Sequence, residues 1–124
     1  MDKRKYYLQK LANRKTGYPI VTIAYYGPDD QFASKVVVGF IASQGATTVV
    51  RKWFADAVDA RKDEKIQMEM AEYIEYNRPY RITMMDRIIG CPHEEGIDYP
   101  EGEVCPQCPF WANRDRWTGE IIAS

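Results

Sequence analysis

Histidine and cysteine are scarce in this chain: one and three residues, respectively, out of 124. His93 is the only imidazole, so any mechanism that needs two is excluded, and three thiols cannot all pair within one chain. No Gly-x-Ser-x-Gly elbow and no glycine-rich phosphate loop occur, which removes serine-triad hydrolysis and P-loop nucleotide hydrolysis from consideration. Long hydrophobic runs are missing too. Stretches such as Val36 to Ala42 fall far short of the ~20 apolar residues that cross a bilayer, and no apolar stretch follows the charged start. These absences predict a cytoplasmic chain with no membrane partner, in a reducing setting where cysteines serve metals better than disulfides.

What is present is ordinary for a folded domain: 45% hydrophobic and 28% charged residues. The net charge of -1 conceals an asymmetry. Residues 1–17 form a basic leader, with Lys3, Arg4, Lys5, Lys10, Arg14 and Lys15 against Asp2 alone, a net +5. The remaining eleven cations and seventeen anions make residues 18–124 a body of net -6, expected to be a single domain. A basic arm on an acidic body suits phosphate, which makes Lys3, Arg4, Lys5 and Lys10 nucleic-acid candidates; the alternative is a solvated tail.

Within the leader, Tyr7, Leu8 and Leu11 share a helical face, and Gly17 is expected to end that helix. Tyr18 to Tyr26 is rich in β-branched and aromatic residues and predicts a strand, stopped by Gly27-Pro28-Asp29-Asp30. Val36, Val38, Phe40 and Ala42 alternate on a second strand, close enough to pair as an antiparallel hairpin. Thr47 to Phe54 carries both periodicities and is assigned as a strand. Ile66, Met70, Tyr73 and Ile74 recur at helical spacing, predicting the main helix over residues 62–76 with Asp63 as N-cap and Pro79 beyond its end. Arg81 to Met85 reads as a last strand with Ile82 and Met84 on one face. The expected fold is α+β: a mainly antiparallel sheet of about four strands in the order βββαβ, one main helix and a C-terminal metal-held loop.

That loop, residues 90–109, carries Pro92, Pro100, Pro106 and Pro109 and resists regular structure, so its order needs another source. All three cysteines and the one histidine fall inside it. Cys91-Pro92-His93 and Cys105-Pro106-Gln107-Cys108 are two close pairs joined by eleven residues, the arrangement by which local turns assemble a tetrahedral zinc site. A Cys3His set fills four positions and leaves none for a reactive water, which predicts a structural Zn2+ held by Cys91, His93, Cys105 and Cys108. The competing reading makes Cys105 and Cys108 a redox pair, Cys91 a small buried hydrophobe and His93 a surface residue. Phe110, Trp111 and Trp117 are expected to pack the loop onto the sheet, with base stacking as their other use.

The run Gly90-Cys91-Pro92-His93-Glu94-Glu95-Gly96-Ile97-Asp98-Tyr99-Pro100, with Cys105-Pro106-Gln107-Cys108-Pro109-Phe110-Trp111 and Tyr25-Tyr26-Gly27-Pro28-Asp29, resembles a small uncharacterised bacterial protein family. The resemblance implies a bacterial, cytoplasmic setting and no mechanism.

Acids crowd the same region: Asp86, Glu94, Glu95, Asp98, Glu101 and Glu103, with Arg87, Arg114 and Arg116 nearby. Asp86, Glu94, Glu95 and Asp98 are the candidate catalytic residues of a Mg2+- or Mn2+-dependent phosphodiesterase, with Asp86 projecting after a strand. The element order also resembles the beginning of ribonuclease-H-like folds, although the first strand lacks their central acid. Against this, acids solvate an exposed loop. The sequence therefore favours a protein- or nucleic-acid-binding module over a hydrolase; a structural subunit with an apolar patch at Trp53 or Trp117 is a third class.

Overall fold

The computed structural model describes residues 3–103 and 105–112, with Asp86 described by its backbone only. Helix α1 spans Lys3–Ala12, and strands β1 (Ile20–Tyr26), β2 (Lys35–Ile41) and β3 (Val49–Phe54) follow. Helix α2 (Glu64–Asn77) leads to strand β4 (Arg81–Ile88), and a 3-10 turn over Pro109–Trp111 closes the described chain. The four strands lie in the order β3-β2-β1-β4; β1 and β2 pair antiparallel, as do β2 and β3, while β4 runs parallel to β1. The α+β expectation and its βββαβ order hold.

Register explains the two faces. Val21, Ile23 and Tyr25 pair with Phe40, Val38 and Val36, and these in turn with Val49, Arg51 and Trp53, placing all nine on one side of the sheet. That side receives Ile66, Met70 and Ile74 from α2 and Leu11 from α1, forming a single core. Asp63 caps α2 as its sequence position promised, its carboxylate accepting from the Ile66 N-H. At the other end Arg78 takes the left-handed conformation (φ 46) immediately before Pro79.

Several boundaries differ from the sequence reading. Helix α1 ends at Ala12, five residues before Gly17. Gly17 instead adopts φ +118 and makes room for the Tyr80 ring, into which any Cβ would project. Strand β4 extends to Ile88 through an irregularity opposite Ile23 to Tyr25, so Asp86 lies inside the strand and not beyond it. Met84 is exposed on this edge strand, leaving Ile82 and Ile88 as its core contacts. Trp53 is buried and donates to Glu69, so it anchors no apolar patch; the exposed apolar side chains of β3 are Val49, Val50 and Phe54. No helix among the described residues is long and apolar enough to cross a membrane.

Candidate metal centre

Gly27 is the mooring point for the C-terminal loop. Its N-H donates to the Gly90 carbonyl, one residue before the first ligand, and its own carbonyl accepts the Trp111 indole N-H at 2.8 Å, three residues past the last. A Cβ here would sit 1.9 Å from the Phe32 carbonyl oxygen, because the Asp29 carboxylate, accepting from the Gln31 and Phe32 N-H groups, pulls the β1–β2 turn tight against it. Trp111 also packs on the core and meets Phe110 edge-on. Trp111 thus fastens the loop, as expected, while Phe110 is placed by its contact with Trp111; Trp117 lies outside the described residues.

Between these moorings Cys91, His93, Cys105 and Cys108 converge, with one ligand atom from each lying within 4.8 Å of all the others. His93 Nδ1 is 3.2 Å from Cys91 Sγ, 3.4 Å from Cys105 Sγ and 3.5 Å from Cys108 Sγ. A tetrahedron with metal–sulfur bonds of about 2.3 Å and a metal–nitrogen bond of about 2.0 Å has sulfur–nitrogen edges of about 3.5 Å, so the cluster has the dimensions of a zinc-type shell. Cys105 and Cys108 are buried, while Cys91 and His93 are half-buried. Burial pushes the thiols of Cys91 and Cys108 up from their ordinary values, because three sulfurs withdrawn from water resist ionising together. A bound dication would supply the missing compensation. The His93 N-H at 3.3 Å from Cys91 Sγ adds one donor to that sulfur.

The described part of the connection, residues 94–103, is a set of short turns. Asp98 accepts from the Glu94 N-H, Glu95 from the Gly102 N-H, and the Gly96 N-H donates to the Tyr99 carbonyl. Glu94 reaches back to the sheet, with Lys52 Nζ at 2.8 Å from one oxygen and Lys35 Nζ at 4.0 Å from the other. The Lys52 hydrogen bond, with the charge of Lys35, holds the Glu94 carboxyl below its usual range. Each candidate catalytic acid of the loop is therefore engaged in folding it. Among the described residues the Cys3His set alone forms a metal-capable group of three or more ligands, and the acids do not gather into a second one.

Lys35 was not singled out by sequence. It is 4% exposed, donates to the Pro92 carbonyl at 2.9 Å between the two N-terminal ligands, and lies near the Tyr26 and Phe54 rings. Its only trace in the sequence is a cation opening the apolar run Lys35-Val36-Val37-Val38. Burial lowers its pKa, while Glu94 and Cys91 act in the opposite direction. Tyr26, Lys35, Val37, Val50 and Lys52 wall a cleft of about 320 Å³ against the ligand loop.

The basic candidates lie apart from this centre, on α1. Helical geometry puts Lys3 and Lys10 on one flank and Lys5 on another, while Arg4 pairs with Glu75 of α2.

No protein-family model matches the chain, and neither a curated protein nor a solved structure is significantly similar to it. The comparisons thus support no family for the chain; of the motif residues quoted above, the structure brings the three cysteines and the histidine into one cluster.

Proposed function

We propose that this chain is a bacterial cytoplasmic binding module, a single α+β domain whose C-terminal segment is ordered by one structural Zn2+. The observation that carries the reading is the approach of three Sγ atoms to His93 Nδ1 at 3.2, 3.4 and 3.5 Å. Thiolate and imidazole donors fit a borderline-soft ion, and four protein ligands leave no open position for activating water. Zinc with three thiolates and a neutral imidazole carries one net negative charge. The buried Lys35 ammonium, hydrogen-bonded to the loop between two ligands, balances it.

A non-catalytic role follows from that closed shell and from the engagement of Glu94, Glu95 and Asp98 in turns and ion pairs. The test is elemental analysis of protein purified under reducing conditions, with Cys108→Ser alongside. One zinc per chain, with sulfhydryl groups resistant to alkylation until the metal is chelated, is the expected result. Metal-free, fully folded protein with three freely titrating thiols would overturn it.

A further inference from the structure

We infer that the open groove between α1 and the α2–β4 turn binds single-stranded nucleic acid, with Arg78 as its central phosphate contact. The inference rests on the binding-module reading but not on the metal. The groove measures about 710 Å³ and is lined by Lys3, Arg4, Tyr7, Glu75 and Arg78. Arg4 and Glu75 pair with one another, which leaves Lys3 and Arg78 as its net charge. Among the described residues no carboxylate pairs with the side chains of Lys3, Lys10 or Arg78.

The stripe continues beyond the groove. Lys3, Tyr7, Lys10 and Arg14 follow one another at intervals of four, three and four residues, the spacing of one helical flank, although Arg14 lies just past the end of α1. The Arg14 guanidinium sits 4.2 Å from the centre of the Tyr80 ring and donates to the Tyr80 carbonyl, fixing that aromatic at the far end. Tyr7 is half-buried against the core, and the exposed ring of this flank is Tyr6, 60% exposed, three residues after Lys3 and four before Lys10. Cations that follow a backbone, interleaved with exposed rings on which bases stack, are the pattern of single-strand recognition. Duplex reading by α1 is disfavoured, since an inserted recognition helix needs a free face and α1 buries Leu11 against the body.

Backbone conformation points independently to Arg78. It stands at φ 46, ψ 59, the left-handed C-cap position that glycine occupies without strain, and it precedes a proline. Its cap N-H to the Ile74 carbonyl needs no side chain. Stability alone favours glycine there, so a strained, exposed arginine calls for a role that only its side chain performs.

The test uses the full zinc-loaded chain and fluorescence anisotropy with labelled oligo-dT and oligo-U, with anionic phospholipid vesicles as a third arm. About three phosphate contacts predict a log K against log salt slope of roughly -2. Arg78→Gly is expected to raise the melting temperature by about 4 °C while weakening oligonucleotide binding several-fold and reducing the slope by about 0.7. Lys3→Glu with Lys10→Glu should weaken binding more than tenfold, and Lys65→Glu, the same charge change per site at the other end of α2, should leave it within twofold. Absence of salt-dependent binding, equal losses from Lys65→Glu and Arg78→Gly, or capture by vesicles but not oligonucleotides would each overturn the proposal. Zinc content measured on the same samples separates its failure from failure of the metal reading.

Discussion

Gly27 and Asp59 illustrate how much depends on single residues. At Gly27 the obstacle to substitution is space: Gly27→Ala drives a methyl group into the backbone carbonyl of Phe32, which has no flexible end to move. Urea denaturation of Gly27→Ala is expected to show a loss of about 4 kcal/mol or more, with zinc retention impaired because both loop moorings shift. Asp59 is buried and accepts from the Ala33 N-H, the Arg61 N-H and the Arg61 guanidinium. The Arg61 hydrogen bonds, with those backbone donors, hold its carboxyl well below the usual carboxylate range. A depressed folded-state pKa contributes stability that is complete above about pH 4, the unfolded value, and is lost as pH falls below it. Asp59→Asn should therefore lower stability at neutral pH and flatten the acid limb of a stability-against-pH curve. A parallel, merely displaced curve would refute the assignment.

Among the elements, α2 and the first two strands were legible because one local cause dominates each. Periodic Ile66, Met70 and Ile74, a capping Asp63 and a terminating Pro79 all agree for α2, and alternation with Gly27-Pro28-Asp29-Asp30 turn chemistry agrees for β1 and β2. The extension of β4 to Ile88 was not legible, since Met85, Asp86 and Arg87 offer no alternation and an irregular register is fixed by the neighbouring strand. The clustering of Cys91, His93, Cys105 and Cys108 was legible from inventory: a lone histidine and all cysteines within eighteen positions leave few arrangements. Lys35 was hidden because its importance comes from a loop 57 residues away in sequence. Lys35→Met removes both the donor to Pro92 and the balancing charge, so chelator-driven zinc release should quicken about tenfold, as followed by a metallochromic dye, while far-ultraviolet circular dichroism stays unchanged.

For the whole molecule, the hydrophobic core lies between the sheet and the two helices, whereas the cysteine cluster is set beyond the Gly27 turn at the end of β1. Removing zinc from the intact chain should consequently expose amides of residues 91–111 to hydrogen exchange while those of β1 and β2 remain protected. Simultaneous loss of protection in both regions would mean that metal and core unfold as one unit. The charge asymmetry of the sequence survives folding, with basic α1 held against an acidic body through Arg4 and Glu75. The shared face of Tyr7, Leu8 and Leu11 was legible, and it is this face that docks the leader, with Leu11 buried and Tyr7 and Leu8 packed partly on the core, so α1 is not a solvated tail.

Anchoring both flanks of the cysteine segment to one glycine has a kinetic consequence. If those two contacts outlast the ion, the vacated segment stays a closed ring of about twenty residues, and roughly 3 kcal/mol of ring-closing entropy is already spent before a new ion arrives. Reloading would then resemble the refilling of a held cup more than the gathering of a loose thread, and the protein would recapture its metal faster than a free peptide carrying the same four ligands.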